Sequence, residues 1–350
     1  ELLVAPSAVV SYELFASGDT EHGLRYTVDF SPSGMPHQNH MAFGNHVNEI
    51  QLAGGSQAMD PLTAALIALP DTDMLMTAYD RLSPHIYWTN QAARVFAGLN
   101  FDKTLHSCPV REGDYRFTSE GECMWMYVLD RDIAHEGAEG TLASSETATS
   151  VNFGFQKALT EHWHGALAFG HEYSDLTIPT YAEREGSQYM VGGIMKGRYG
   201  RHNLSFSASY GKGNYDTLRY VMLPTPDVLT TGDRDISIAA AHVQYSVATG
   251  GEIWYVTPLV DIGYTDIASD GFNEVGSGTV DLTVESDDHS FVTARVAVKV
   301  GGEWVAGNGT LVRPFVDVGA TSFVRGDTPE IRATLTAAPD GVQPFTQWFY

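Results

Sequence analysis

The chain has 350 residues, with 20 Lys and Arg against 43 Asp and Glu, for a formal net charge of −23. Nucleic acid and anionic membrane surfaces are bound through clustered cations, and here the cations are few and scattered, which argues against both partners. Hydrophobic residues make up 43% and charged residues 18%, so the chain has apolar area to fold with and is not an acidic disordered tail. The 35 glycines beside 17 Tyr, 16 Phe and 6 Trp give the composition a β-rich texture.

The first residue is Glu1 rather than Met, with no signal segment after it, so the N-terminus reads as cut from a longer chain. Residues 1–30 have strand texture: Leu24, Tyr26, Val28 and Phe30 alternate with Arg25, Thr27 and Asp29. Asp60-Pro61 reads as an N-cap followed by Pro at the first helical position, opening the apolar run 62–69. That run is far shorter than the roughly 18 residues of a membrane-spanning helix. Ser83-Pro84 repeats the device before a helical run to His106, about 35 Å long at 1.5 Å per residue and comparable to a bilayer's hydrocarbon thickness. Cys108 and Cys123 carry no zinc-type spacing; a disulfide in an oxidising compartment and two independent thiols are both open readings.

From Ser144 onward the period is two. Leu204, Phe206, Ala208 and Tyr210 alternate with Ser205, Ser207, Ser209 and Gly211; Trp254, Val256, Pro258, Val260, Ile262 and Tyr264 alternate with Tyr255, Thr257, Leu259, Asp261 and Gly263. Pro258 costs a ladder bond and is expected near an irregularity. Val292 to Val300 and Val312 to Val318 set apolar residues against Arg295, Lys299, Arg313 and Asp317. Trp163, Tyr173, Tyr189, Tyr199, Tyr210, Trp254 and Tyr264 sit on the apolar face near strand ends, where rings favour the headgroup zone. The opposite face is small, polar or charged, as in a barrel lumen. Nine strands are predicted, at roughly 121–130, 146–157, 162–174, 187–199, 202–215, 235–248, 252–266 with a 272–285 extension, 289–301 and 309–323, and 345–350 begins a tenth. Tight connections at 160–162, 200–202 and 249–252 and a looser one at 301–309 alternate with long polar loops at 175–186 and 215–233, as in an up-and-down barrel.

At this point the residues resemble the C-terminal translocator end of an autotransporter, the type V secretion family. Gly23–Met35 is similar to the passenger end, Asn39–Ile50 to the helix after it, and Leu82-Ser83-Pro84-His85-Ile86-Tyr87 to the family's Leu-Ser-Pro-Glu-x-Tyr, with His85 in place of the Glu. Cys123-Met124-Trp125, Pro258–Tyr264, Gly271-Phe272-Asn273-Glu274-Val275-Gly276, Val280–Glu285, Phe291–Val300 and Arg313-Pro314-Phe315 resemble barrel segments. The resemblance implies an all-β fold, a twelve-stranded transmembrane antiparallel up-and-down outer-membrane β-barrel with a pore helix, whose role is to anchor and help export an N-terminal passenger. It divides the chain into 1–37, the last β-helix rung of the passenger; 38–107, a helical connector with the pore helix at 84–106; and 108–350, the barrel. Its implied partners are outer-membrane lipid, the barrel-assembly machinery, periplasmic chaperones and its own passenger segment in the lumen. Family barrels end on an aromatic strand; Tyr350 is aromatic but 343–350 lacks alternation, so about three strands are expected beyond it, and nine strands alone would leave bare edges in lipid.

Some family members cleave themselves in the pore at an Asn or Asp. Asn90, Asn100 and Asp102 lie in the connector without an Asn-Asn pair, and Glu172, Asp261 and Asp317, with Arg313 as charge partner, face the expected lumen. Hydration of the lumen and ion pairing to the helix is the favoured role for these groups, so no catalytic, cofactor or metal residue is assigned. His162 and His164 have metal-ligand spacing without a third ligand; His135-Glu136 does not open His-Glu-x-x-His, since Glu139 stands where the second His belongs; Gly18-Asp19-Thr20 falls in a turn. The rival readings are a porin-like channel, which gives no reason for the 84–106 helix, and a secreted soluble all-β adhesin or binding module, which would bury the alternating aromatics between two sheets.

Overall fold

The computed structural model describes residues 5–17, 21–108, 122–137, 141–223, 228–250, 254–302, 304–312, 314–326 and 330–349. The chain opens with an antiparallel hairpin, β1 (Val10–Ser17) and β2 (Glu21–Val28), in which Tyr12 faces Tyr26 and Leu14 faces Leu24. The expectation for 1–37 is the last β-helix rung of a passenger. The three-residue connection allows only an antiparallel return, because parallel pairing needs a crossover of a dozen or more residues.

Four α-helices follow: α1 (Gln38–Leu52), α2 (Asp60–Ile67), α3 (Thr72–Leu82) and α4 (His85–Leu105). Asp60 lies inside α2 rather than capping it, because the 3-10 turn Gln57–Met59 runs straight into the helix and makes Met59 the cap. The start of α4 is close to the expected position: Ser83 Oγ accepts from the His85 N–H at 3.2 Å, and Pro84 precedes the first helical residue.

Nine long strands form one antiparallel sheet in sequence order: β3 (Cys123–His135), β4 (Ser144–Ala158), β5 (Trp163–Ile178), β6 (Ala182–Tyr199), β7 (His202–Val221), β8 (Val228–Val247), β10 (Trp254–Ser269), β13 (Asp287–Gly302) and β16 (Phe315–Gly326). The two-residue β9 (Thr249–Gly250) pairs with Tyr255 and Val256 of β10, while β8 begins pairing at Leu259. Pro258 therefore sits at the break in that ladder, where its missing N–H costs no bond. A second two-residue ladder, β14 (Trp304–Val305) with β15 (Leu311–Val312), lies in the connection to β16.

All nine predicted strands are present, and several run longer than their alternation suggested. The loop expected at 175–186 is a turn, Pro179–Tyr181, closed by Tyr181 N–H to Ile178 C=O at 3.0 Å with Thr180 at φ 66°. The 215–233 loop is likewise mostly strand, since β7 continues to Val221 and β8 starts at Val228. Both extensions hold because their inward residues, Leu176, Ile178, Ala182, Arg184, Arg219 and Arg234, are buried. At 20 residues, β7 is about 66 Å long, more than twice the thickness of the ~25 Å apolar band it serves.

The stretches expected to extend a barrel strand, 272–285, and to start a tenth, 345–350, do neither in their described residues: they contribute to a separate four-stranded sheet of β11 (Phe272–Asn273), β12 (Leu282–Val284), β17 (Glu330–Leu335) and β18 (Phe345–Trp348). This small sheet, α1–α3 and the first turn of α4 share a core of Phe43, Val47, Leu75, Tyr79, Leu282 and Phe345, making a cap. The cap rests on the rim formed by the β5–β6 turn and the end of β7, through Ile178, Ala182 and Val221. Below it the large sheet curls around α4, which touches β4, β5, β6, β7, β8 and β10. Among the described residues β3 and β16 are the two edges of that sheet, and neither pairs with the other.

Candidate functional site

Two surfaces of the curled sheet differ in chemistry. The outward one is apolar in its middle: Leu167 and Phe169 of β5, Val191 and Met195 of β6, Phe206 of β7, Val243 of β8 and Val260 and Ile262 of β10 are all exposed. Aromatics bound this band on both sides. Tyr173, Tyr189, Tyr210 and Tyr264 form one row; Trp163, Tyr199, Tyr245 and Trp254 form the other, with Trp163 Nε1 donating to Tyr199 Oη at 3.0 Å. Ten residues separate Tyr189 from Tyr199, about 33 Å along a strand and about 23 Å once tilted, matching the ~25 Å apolar band of outer-membrane barrels. Beyond the upper row the same face turns acidic, and Asp175, Glu185, Asp216 and Asp233 lie opposite one another across β5–β8. The exposure of these rings removes the reading in which they fill a core between two sheets. No helix among the described residues is long and apolar enough to cross a membrane.

The inward surface holds α4. Its one arginine, Arg94, is buried and donates through Nη1 to Glu172 of β5 at 2.9 Å and through Nη2 to Glu146 of β4. Arg131 of β3 bonds both carboxylates, to Glu172 at 3.0 Å and Glu146 at 3.1 Å, and Arg184 of β6 reaches Glu146 at 3.0 Å. Arg94 and Arg184 also lie over the Tyr215 ring at 5.0 and 5.1 Å. Three guanidiniums and two carboxylates thus form one network with one cation in excess, and the Tyr215 ring face lies beside two of the guanidiniums. Nearer the cap, Glu274 accepts from Tyr87 Oη at 2.6 Å and from Arg219 Nε at 2.9 Å, and Arg234 pairs with Asp287 at 2.7 Å.

Phe101 fixes α4 sterically. A Cβ on Gly170 of β5 would stand 3.0 Å from the ring, and one on Gly192 of β6 would stand 2.9 Å from it. The two glycines form a notch that only bare backbone leaves open. At its lower end α4 is tied covalently: Cys108 and Cys123 form a disulfide to the first residue of β3, and Lys196 Nζ donates to Cys108 C=O at 2.9 Å.

The groups singled out from sequence fall into separate places. Asp102 accepts from Ser207 Oγ at 2.5 Å and lies 3.8 Å from His106 and 4.0 Å from His242; His242 in turn bonds Asp261 at 3.1 Å. Asn100 and Glu172 line one small cavity with Asn152, Gly170 and Met190. Asn90 is buried, and its Oδ1 has no hydrogen-bond partner. Asp317 pairs with Arg295 at 2.6 Å, at the far side of the sheet. His162 lies in the turn before β5 with its ring 5.0 Å from Tyr199, whereas His164 points inward and is buried, so the two do not converge. His135 and Glu136 are exposed at the end of β3. Arg313, Glu139, Tyr350 and Gly18-Asp19-Thr20 lie outside the described residues. Sequence reasoning missed Arg94, Glu146, Arg131, Arg184 and the Gly170–Gly192 notch. Arg94 was visible as the single arginine of the helical run; the notch depends on register between strands and carries no local signal.

The family model for the autotransporter beta-domain matches residues 124–347. Among solved structures, the translocator domain of the autotransporter NalP from Neisseria meningitidis is similar, with 14% identity and a TM-score of 0.57 over 71% of this chain and 84% of that one. The beta domain of the Bordetella autotransporter BrkA matches with 15% identity and a TM-score of 0.42 over 61% of this chain and 84% of that one. No curated protein matches the chain.

Proposed function

Because this chain belongs to the autotransporter β-domain family, whose members sit in the outer membrane, we propose that it anchors and helps export a passenger joined to its N-terminal side and displays it at the cell surface. The observation that carries this reading is the path of α4. The helix leads from the cap, through a lumen lined by Glu146, Glu172 and Asp261, to a disulfide at the first barrel strand. A segment that enters at one rim and becomes the barrel at the other is the connection an exported N-terminal domain requires.

In this reading residues 1–37 are the end of the passenger, 38–107 the connector and 108–350 the barrel. The rim bearing the cap faces outward from the cell. Barrel-assembly machinery and periplasmic chaperones act on the chain before insertion, and lipid contacts the band between the two aromatic rows. The lumenal carboxylates serve structure rather than catalysis, since Glu146 and Glu172 are occupied by Arg94, Arg131 and Arg184. The test joins an epitope-tagged reporter ahead of residue 5 of the full parent protein and applies protease to intact cells. Loss of the tag with the barrel left intact supports export. A tag protected until the outer membrane is breached contradicts it.

A further inference from the structure

The connector and the 330–349 segment are joined by side chains that bond to backbone. Asn39 of α1 does for β18 what a neighbouring strand would do: its Oδ1 accepts from the Trp348 N–H at 2.9 Å and its Nδ2 donates to the Trp348 C=O at 2.7 Å. Seven residues on, two turns along the same helix face, His46 bridges β17 and the turn before β18. Its Nδ1 is 3.1 Å from the Gln343 carbonyl and its Nε2 is 3.3 Å from the Leu335 amide nitrogen. The ring is 2% exposed and lies 5.0 Å from the Phe345 ring.

These partners dictate the tautomer. A carbonyl demands a proton on Nδ1, and an N–H demands a bare lone pair on Nε2. A second proton, placed on Nε2, would set N–H against N–H and put a charge in an apolar pocket. Nothing nearby relieves that. On α1, His40 is engaged with Asp80 at 2.7 Å and Glu49 is exposed; in the 336–344 turn Asp340 is exposed; on β17 Arg332 is exposed and pairs with Glu285 at 3.0 Å, and Glu330 stands at the opposite end of the strand from Leu335, across from Trp348; β18 carries no charged residue. Tyr79 of α3, which reaches this core through Phe43, spends its hydroxyl on the Phe30 carbonyl.

We propose that His46 is a proton-operated clasp, whose protonation releases α1 from the β17–β18 hairpin and opens the cap over the lumen mouth. The clasp concerns the mouth itself and holds whether or not a passenger crosses it. Burial pushes the His46 imidazole from its ordinary 6.5 down to about 4, with the Gln343 carbonyl working weakly the other way. The sign follows: the folded value lies below the unfolded one, so the clasp is at full strength above about 6.5 and weakens as pH falls toward about 4.

Spin labels placed at Glu49→Cys and Asp340→Cys in the full protein report the α1-to-hairpin distance. The expected result is one short distance at about pH 7 and a long, broad distribution at about pH 4. His46→Gln, whose amide can donate to one partner and accept from the other without titrating, is expected to stay short at both. An unchanged wild-type distance at the lower pH overturns the proposal, and so does opening of His46→Gln at the wild-type pH. If His46→Gln is already open at about pH 7, ring titration of isotope-labelled His46 in the wild type decides. A midpoint coinciding with the opening supports the clasp; titration of the ring near its ordinary value with the cap still closed overturns it.

Discussion

Arg94 of the pore helix donates to Glu172 of the fifth strand at 2.9 Å, in a setting where both side chains are buried. The bond fixes how deep α4 sits and which way it faces, because Glu172 cannot leave its strand and Arg94 is the only arginine on the helix. Removing Arg94 leaves Glu146 and Glu172 to two guanidiniums instead of three. Arg94→Ala is expected to cost about 1.5–3 kcal/mol, the range for hydrogen bonds to charged groups, because Arg131 and Arg184 still balance the two carboxylates. Thermal unfolding in detergent measures this, and Arg94→Lys should recover only part, since an ammonium cannot serve both carboxylates through a planar fork.

The Phe101 notch makes a prediction of opposite character, an addition rather than a deletion. In Gly192→Val the new Cβ would lie 2.9 Å from the Phe101 ring and 3.0 Å from the Ala208 carbonyl oxygen, and the carbonyl cannot yield. An overpacking cost of about 1–3 kcal/mol is expected. The double variant Gly192→Val with Phe101→Ala should recover part of it, and a double-mutant cycle on unfolding midpoints reads the coupling.

The Cys108–Cys123 disulfide closes a loop of 15 residues between α4 and β3. Replacing both by Ser should lower stability by about 3 kcal/mol on the chain-entropy estimate for a loop of that length. Denaturant titration with and without reductant checks it: reductant should shift the wild type and leave the double Ser variant unmoved.

On the outward face, depth decides cost. Phe169→Arg lies in the middle of the apolar band and should destabilise the inserted protein by about 2–4 kcal/mol, whereas Thr177→Arg, on the same face of β5 above the upper aromatic row, should cost at most about 1 kcal/mol. Equilibrium unfolding from lipid vesicles separates the two.

How far the sequence could be read follows from which interactions are local. Alternation on one strand needs no partner to be seen, so the positions of all nine long strands and of α4 were legible, as was the aromatic spacing on the outward face. Strand length was not. Arg184, Arg219 and Arg234 look like loop residues when read alone, and only their buried bonds to Glu146, Glu274 and Asp287 keep them inside the ladder. The stretch 345–350 reads as the start of a tenth barrel strand although 343–350 lacks alternation; Phe345 and Phe349 are instead buried in the cap core, with β18 paired to β17 and Trp348 bonded by Asn39, 309 residues away. Within the lumen, Glu172 and Asp261 are legible from the polar side of the alternation and Asp102 from its place in the helical connector, but their partners come from other elements, which sequence spacing does not reveal.

The central claim is that the band between the two aromatic rows faces lipid while α4 occupies the other side of the sheet. Spin labels placed singly at Glu183, Glu185, Val191, Gly193 and Met195, all on the outward side of β6, test it most directly when the protein is in bilayers. The account predicts high oxygen access and low access to a water-soluble relaxation agent at 191, 193 and 195, with the order reversed at 183 and 185. A water-soluble agent that reaches 191–195 as readily as 183–185 would contradict it.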